Sequence, residues 1–389
     1  MRVLPLGLFR AASFSRFRVP IFFLVVFLVV YLNTGCSPGK LTIGVTGPPP
    51  TPGNAFVFTA NAGGNSISGF SNDSTGSLTA VPGSPFSSPG QPFGLAATPN
   101  NAFLYVSSFQ NAQVTGFSIN STTGTLTPLA CPVATTDSQP LKIAINPAGT
   151  LLFTANQVGS VSGFAINATT GCLAAISNTA TDSVARGLTI DGTGQFLYVV
   201  TGGGGINLFS INTNGTLTRQ AIGGFDSTTG TMLAVKAVPG INVLLATDGG
   251  STNNLRSFII NTTTGALTPI VVTVTGSSPP NPSAIAVNTP ANATTPLFYV
   301  ANTASNNLTV NTIAADGTSG AASLTVPASI GPIDLAVDPT GRFLYVANNG
   351  ASTVTAFNAN ITAANVNSAI ISFVGTGAAP ESIVVVGHP

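Results

Sequence analysis

The chain has 389 residues, enough for two average domains or for one large all-β domain. Charged residues make up only 5 % of it, against roughly a quarter in an ordinary soluble protein, and the formal net charge is +1. No basic patch could neutralise phosphates, so nucleic acid is excluded as a partner, and the 43 glycines and 28 prolines favour short strands joined by tight turns.

The first 35 residues are typical of an export signal. Four arginines precede an apolar run from Val19 to Leu32, which is too short to span a bilayer comfortably but suits a signal peptide. The run leads to Gly35 and Cys36, which resemble the lipobox of bacterial lipoproteins, where the cysteine is lipidated and becomes the mature N-terminus. We predict a lipoprotein signal over residues 1–35 and lipidation at Cys36, with an ordinary cleaved signal or an uncleaved anchor as alternatives.

Residues 36–53 form a Pro/Gly-rich segment that we interpret as a tether holding the following domain away from a membrane. The lipoprotein resemblance has a consequence for location. Ser37 stands where an aspartate often retains a lipoprotein at the inner membrane, so the resemblance implies the outer membrane or the cell surface. We therefore expect an exported protein anchored to the bacterial cell envelope through its N-terminal lipid.

One apolar phrase recurs along the rest of the chain, at intervals of 45 to 54 residues. Its copies are FVFTAN (56–61), FLYVSS (103–108), LLFTAN (151–156), FLYVVT (196–201), VLLATD (243–248), LFYVAN (297–302) and FLYVAN (343–348). A short apolar strand generally precedes the phrase, and an alternating strand and a turn with glycine generally follow it. Each repeat thus supplies four antiparallel strands, and a period of this length is the signature of β-propeller blades.

The apolar phrase and the chain ends together predict a closed ring. Each blade of a propeller is covered on both faces by its neighbours, so an inner strand can be apolar throughout. Residues 380–389 read as an innermost strand with no strand after it, whereas the first copy of the phrase has no strand before it. We predict that residues 54–389 form an all-β, seven-bladed β-propeller, closed by pairing of the C-terminal strand with the N-terminal blade.

Two cysteines, Cys131 and Cys172, lie within the predicted propeller. An exported chain can form disulfides, so a disulfide between Cys131 and Cys172 is possible. Because the two residues fall in different repeats, we favour the alternative that each is a small buried hydrophobic residue.

Two segments, DPTGRFLYVANNGASTVTAF (338–357) and TTGTLTP (122–128), resemble the repeats of the YVTN and lactonase-type seven-bladed propellers. This family includes the cytoplasmic 6-phosphogluconolactonases and many exported bacterial proteins. The resemblance extends over residues 54–389. It implies the fold, but it says little about chemistry because the shared residues belong to strands and turns.

The candidate site is the mouth of the central channel, where loops from several blades converge. Lys142 and Arg186 begin inner strands of consecutive blades, and Asp334 and Glu381 do so roughly opposite, which predicts a mouth that is cationic on one side and anionic on the other. The alternative is that these are solvated charges at strand ends. Four asparagines that close the apolar phrase are also predicted to bind ligand: Asn61, Asn156, Asn302 and Asn348.

Two functions remain open for such a mouth. Amide and hydroxyl groups suit a binding module for a glycan, peptide or protein of the cell envelope, and this is the function we favour. The alternative is a lactone hydrolase of the 6-phosphogluconolactonase type acting on a small lactone. Lactone hydrolysis needs a base to activate water and a group that binds the substrate's negative charge, and Glu381 and Arg186 are the best available pair for those roles.

We expect no resident cofactor and a monomeric protein. The sequence has no EF-hand spacing and no histidine and cysteine cluster that would suit zinc. Ca²⁺ bound by Glu381, Asp334 and asparagine oxygens is the alternative.

Overall fold

The computed structural model describes residues 52–221, 224–225, 231–249, 254–270, 281–289, 295–320 and 324–387. The predicted signal, the lipidation site Cys36 and the tether up to residue 51 lie outside the described residues. Within the described ranges, no helix is long and apolar enough to cross a membrane.

The described strands fall into four sets according to their rank from the channel outwards. The innermost strands are β5 (Pro92–Ala97), β10 (Pro140–Ile145), β14 (Ala185–Ile190), β18 (Met232–Ala237), β22 (Pro282–Asn288), β26 (Pro332–Val337) and β30 (Pro380–Gly387). The second strands are β1 (Pro52–Asn61), β6 (Phe103–Ser108), β11 (Leu151–Asn156), β15 (Phe196–Thr201), β19 (Val243–Asp248), β23 (Leu297–Asn302) and β27 (Phe343–Asn348).

The third and fourth strands complete each sheet. The third strands are β2 (Ser66–Asp73), β7 (Gln113–Ile119), β12 (Ser160–Ile166), β16 (Ile206–Ile211), β20 (Asn254–Ile260), β24 (Asn307–Thr312) and β28 (Thr353–Asn358). The outermost strands are β3 (Leu78–Ala80), β8 (Leu126–Pro128), β13 (Leu173–Ala180), β17 (Leu217–Arg219), β21 (Leu267–Ile270), β25 (Leu324–Pro327) and β29 (Ile370–Gly375). The remaining elements are β4 (Phe86–Ser87), β9 (Ala134–Thr135) and the 3-10 turns Ala62–Gly64, Thr303–Ser305 and Val366–Ser368.

The sheets are seven antiparallel blades arranged in a ring, which confirms the predicted propeller. Blade 1 has the order β30-β1-β2-β3, and blades 2 to 7 are β5–β8, β10–β13, β14–β17, β18–β21, β22–β25 and β26–β29. The short strands β4 and β9 add to the third strands of blades 1 and 2. Strand β30 pairs with β1 from Ala55 opposite Gly387 to Asn61 opposite Pro380, so the last strand of the chain closes the ring as predicted.

The second strands form the buried layer of each blade. In β27, Leu344, Tyr345, Val346 and Ala347 are all fully buried, although successive side chains point to opposite faces. Both faces of the strand are therefore covered by neighbouring blades. This confirms the physical reason for the apolar phrase, which a sheet with one solvated face would not allow.

Tyrosine hydroxyls join several blades to the next one around the ring. Each donates from the second strand of one blade to a backbone carbonyl in the turn between the third and fourth strands of the next blade. The pairs are Tyr105 with Gly171 at 2.7 Å, Tyr198 with Gly265 at 2.8 Å, Tyr299 with Ala359, and Tyr345 with Gly76 at 3.4 Å. Since these hydroxyls are buried, the bonds satisfy groups that would otherwise be costly to desolvate.

A disulfide joins Cys131 to Cys172, with Cα atoms 5.4 Å apart, so the expectation of two unbridged cysteines was wrong. Cys131 lies between β8 and β9 of blade 2, and Cys172 lies in the turn before β13 of blade 3. The bridge can form between separate repeats because the turn that holds Cys172 packs on blade 2. In that turn, a Cβ added to Gly171 would lie 2.6 Å from Phe103 of blade 2.

Candidate functional site

The first residue of each innermost strand pairs with the last residue of the second strand, as Pro332 does with Asn348. Both therefore lie at one face of the ring, which we call the mouth face. The inner strands carry five ionisable side chains, three of them cationic and two anionic: Lys142, Arg186, Lys236, Asp334 and Glu381. Four of these five were predicted from the sequence to lie at the channel.

Lys142 and Asp334 form an ion pair across the channel. Lys142 Nζ donates to Asp334 Oδ2 at 3.0 Å, although β10 and β26 belong to blades 3 and 7 of the ring. Asp334 Oδ2 also accepts from the Ser382 hydroxyl at 2.8 Å, and Lys142 Nζ donates to the backbone oxygen of Glu381 at 3.1 Å. One residue from the predicted cationic side of the mouth, Lys142, is thus in direct contact with one from the anionic side, Asp334.

Glu381 is a half-buried carboxyl group held at the mouth face. Asn349 Nδ2 donates to its Oε1 at 2.8 Å, while no described residue donates to its Oε2. Burial raises the pKa of Glu381, an effect that Lys142 and the Asn349 hydrogen bond oppose and that the negative charge of Asp334 reinforces. A carboxyl group with one oxygen fixed and the other free can exchange protons with a bound molecule.

Arg186, the other predicted catalytic residue, lies at the second position of β14 in blade 4. Among the described residues its guanidinium makes no hydrogen bond or ion pair, and its Nε is buried without a partner. It approaches Gly202 in the following loop, where an added Cβ would lie 3.3 Å from Nε. The structure therefore leaves Arg186 at the mouth face without contact to the other three predicted residues.

Lys236 is a channel residue that sequence reasoning missed. It is the fifth residue of β18 and pairs with Leu245, which occupies the position of the buried tyrosines. The equivalent positions of the other inner strands hold small or short side chains: Ala96, Ala144, Thr189, Ala286, Ala336 and Val384. A single lysine in this series is the signal that could have identified it.

The four asparagines predicted to bind ligand are instead buried within their own blades, with at most 1 % of their surface exposed. Each donates from Nδ2 at 2.9 Å to a hydroxyl on the third strand; the acceptors for Asn61, Asn156, Asn302 and Asn348 are Ser68, Ser162, Thr309 and Thr355. These amides tie the second strand to the third and present no free surface to a ligand, contrary to the prediction.

The same position in blade 5 carries an ion pair in place of an amide and a hydroxyl. Asp248 ends β19 and is fully buried, and it accepts from Arg256 Nη2 at 2.7 Å. Arg256 occupies the third-strand position that the hydroxyl acceptors fill in the other blades. Its guanidinium also lies 5.2 Å from the centre of the Phe225 ring. Asp248 and Arg256 are therefore structural partners in the described blade.

The part of the chain that the structure describes contains no group of three or more histidine, cysteine or carboxylate residues that could hold a metal ion. Glu381 and Asp334 instead bind nitrogen and hydroxyl donors of the protein. Ca²⁺ prefers six to eight oxygen ligands, and the asparagine oxygens proposed to supply some of them are buried in the blades.

Comparisons with known proteins agree with this architecture. A family model described as "Lactonase, 7-bladed beta-propeller" matches residues 50–137, 94–186 and 252–379, roughly two thirds of the chain. No curated protein sequence matches the chain.

Solved structures of low identity share the fold. A candidate 6-phosphogluconolactonase of Bacteroides fragilis NCTC 9343 is 17 % identical, with a TM-score of 0.73 over 86 % of this chain and 98 % of that one. A similar candidate from Bacteroides uniformis ATCC 8492 is 15 % identical, with a TM-score of 0.70 over 86 % and 99 % of the two chains. The periplasmic gluconolactonase PpgL of Pseudomonas aeruginosa is 15 % identical, with a TM-score of 0.69 over 87 % and 100 %. With the family match, these comparisons assign the chain to the family of lactonase-type seven-bladed β-propellers.

Proposed function

We propose that the protein hydrolyses the lactone of a sugar acid at the mouth of its channel, with Glu381 as the general base. The observation that carries this proposal is the Glu381 carboxyl group, which is half-buried and fixed at Oε1 by Asn349, and whose Oε2 receives no donor from the described residues. Membership of the lactonase family and the fold shared with a periplasmic gluconolactonase support the class of substrate. Glu381 lies two residues beyond the last segment that the family model matches, so its role rests on geometry.

The proposed reaction uses the carboxyl group twice. Glu381 takes a proton from a water molecule, whose oxygen bonds to the carbonyl carbon of the lactone. The ring carbon–oxygen bond then breaks, and the departing ring oxygen takes the proton back from Glu381, which leaves an open hydroxy acid. In this proposal Lys142 stabilises negative charge on the carbonyl oxygen; its ammonium lies 3.1 Å from the backbone oxygen of Glu381 and is also paired with Asp334.

Arg186 has the second role in this proposal, as the group that binds a phosphate or carboxylate of the substrate. Its guanidinium makes no hydrogen bond among the described residues; Nε is buried, so we assign the anion to the two terminal nitrogens. Guanidinium groups bind such anions through two parallel hydrogen bonds. A substrate with an anionic end would therefore lie across the mouth, its ring near Glu381 and its charge near Arg186.

The experiment is hydrolysis of a panel of aldonolactones, including 6-phosphogluconolactone, after subtraction of the spontaneous rate. We expect Glu381→Gln to lower kcat by about a hundredfold or more, because general base catalysis contributes at least that much. Asp137→Asn is the matched control: it also removes one negative charge near the mouth face, where Asp137 bonds Ser160 and Asn178. Unchanged turnover in Glu381→Gln would refute the assignment.

The pH profile gives an independent readout of the same group. Glu381 acts as a base only when it is ionised, and its pKa is raised in the folded protein. The rate should therefore fall as the pH decreases through that raised pKa, above the range in which an ordinary glutamate titrates. Arg186→Gln should leave this profile in place and raise KM about tenfold for the phosphorylated lactone but not for the neutral ones.

Binding without turnover is the second candidate, and one observation favours it. Phe93 and Phe109 lie at the mouth face of blade 2 with ring centres 5.9 Å apart, and both remain partly exposed. Exposed aromatic rings offer a flat apolar surface that suits the faces of sugar rings in an envelope glycan, or the side chains of a peptide or protein. Saturable binding that Phe93→Ala weakens, together with the absence of turnover on the lactone panel, would favour this module over the hydrolase.

We also propose that the protein is exported and anchored to the cell envelope through Cys36. The disulfide between Cys131 and Cys172 supports export, because such bridges persist in oxidising compartments. Fractionation of cells is the test: the full chain should appear in the membrane fraction and Cys36→Ser should release it. Recovery of both chains in the cytosol would contradict the proposal.

A further inference from the structure

Lys236 combines enclosure with accessibility. Burial among the inner strands lowers its pKa, yet more than a third of the residue remains accessible. A side chain that faces the interior of a channel has both properties: protein surrounds it at a short distance, and water can still reach it. Lys236 therefore lines the channel rather than the packed core of blade 5.

The residues at the level of Lys236 on the other inner strands have small or short side chains. The six equivalent inner-strand residues are four alanines, a threonine and a valine. Lys142 and Asp334, whose ion pair spans the channel, belong to the third position of their strands, two residues nearer the mouth. Two residues of a strand correspond to roughly 7 Å. The Cα atom of Lys236 therefore lies beyond the level of the residues that form the ion pair, towards the face opposite the mouth.

The charges of the channel leave Lys236 without a partner. Lys142 and Asp334 neutralise each other in contact, and Glu381 is bound by Asn349 at the mouth. Lys236 makes no hydrogen bond or ion pair among the described residues, and Asp334 favours its charged form only from beyond contact distance. An ammonium group in such an environment gains most from a small negative charge that enters the channel.

We propose that Lys236 forms a binding site for a small anion within the channel, on the side of the Lys142–Asp334 ion pair that faces away from the mouth. The site differs from the proposed lactone site in position and in residues. It also lies in the segment from 187 to 251, which the family model leaves unmatched. The ligand class is a small inorganic anion or a short carboxylate, because both carry the small negative charge that the Lys236 ammonium recognises.

Anion binding and protonation of Lys236 are coupled. A bound anion stabilises the ammonium form, so the pKa of Lys236 rises when the site is filled. The other ionisable groups of the inner strands are Asp334 and Lys142 at the ion pair and Glu381 and Arg186 at the mouth. Of these, Asp334 is the one that acts on Lys236.

The test uses the small number of lysines in this protein. The full chain has Lys40, Lys142 and Lys236. Reductive ¹³C-methylation of the full chain would therefore give three lysine signals by NMR, assigned with Lys142→Gln and Lys236→Gln. Inorganic phosphate, chloride and formate are added in separate titrations, and the Lys40 signal reports the general effect of ionic strength.

We expect at least one of these anions to shift the Lys236 signal saturably and to raise the pKa measured from it, while the Lys40 signal changes little. In Lys236→Gln, neither the Lys142 signal nor the Lys40 signal should shift saturably with that anion. A Lys236 signal that only follows Lys40 with all three anions would overturn the proposal. Turnover of lactones is not part of the readout, so the result is independent of the proposed function.

Discussion

In blade 5 a serine hydroxyl makes the bond to the next blade that a tyrosine makes in four other blades. In blade 5 the tyrosine position holds Leu245, and Ser257, its partner across the strands, donates instead to the Gly317 carbonyl of blade 6 at 2.7 Å. Two different residues thus satisfy the same kind of turn carbonyl. Burial also raises the pKa of Tyr105 to about 12, so its hydroxyl keeps its proton and remains a donor at physiological pH.

Tyr198→Phe tests the value of one such bond. The change leaves the ring in place and removes only the donor to the Gly265 carbonyl, which stays buried without its partner. We expect the free energy of unfolding to fall by about 1–2 kcal/mol, measured by urea denaturation. The control is Ser118→Ala, which removes a hydroxyl whose bond to the Thr127 carbonyl, at 3.4 Å, is exposed, and should change stability by less than about 0.5 kcal/mol. Equal effects of the two changes would contradict a structural role for the tyrosine hydroxyl.

The sequence predicted where the candidate site residues lie along the strands better than it predicted which way their side chains point. The pattern placed Lys142, Asp334 and Glu381 on inner strands at the mouth face, where the structure has them. It also placed Asn156 at the end of a second strand, but not the turn of its side chain towards Ser162 inside the blade. The contact between Lys142 and Asp334 depends on the width of the channel, which no local pattern encodes.

The turns between third and fourth strands require glycine for two separate reasons. Gly265 has a φ of +74°, which side chains with a Cβ rarely adopt, and an added Cβ would lie 2.5 Å from the Phe196 ring of blade 4. The sequence predicted the first reason from the repeated Thr-Thr-Gly turn. It did not predict the second, because contact with the previous blade arises only in the assembled ring.

A pair of substitutions separates these two reasons. Gly240 has a φ of +80°, but an added Cβ there would meet nothing within 4 Å, whereas at Gly265 it would meet Phe196. We expect Gly240→Ala to cost about 1 kcal/mol of stability from backbone strain. Gly265→Ala should cost about 1–3 kcal/mol more, because overpacking against Phe196 adds to the same strain. Urea denaturation measures both, and equal losses would show that blade packing does not constrain the turn.

The strands were the most predictable elements of the fold. An apolar run of five or six residues at a regular interval has few explanations other than a strand covered on both faces, and β27 is fully buried along its length. The two added short strands were not predicted, because β4 and β9 have only two residues each and carry no periodic pattern.

At the scale of the whole molecule, the ring is closed by non-covalent pairing at one place and reinforced by a covalent bond at another. Strand β30 joins the two ends of the propeller within blade 1, whereas the disulfide joins blades 2 and 3. The sequence predicted the pairing because the unmatched strands at the two ends complete one blade. It could not decide the disulfide, since the distance between two cysteines in separate repeats depends on how neighbouring blades meet.

The disulfide tests whether the ring unfolds as one unit. The bridge closes a loop of 41 residues, and the chain-entropy relation for such a loop gives up to about 4 kcal/mol of stabilisation, with about 2–4 kcal/mol as the usual range. We expect Cys131→Ser with Cys172→Ser to lower the urea midpoint accordingly and to leave a single transition, because removing the bridge loosens the unfolded chain while β30 still closes the ring. Dithiothreitol should lower the midpoint of the unsubstituted protein to the same value and leave the double variant unchanged. Two separate transitions in the variant would instead mean that blades 2 and 3 depend on the covalent bond to fold together with the rest.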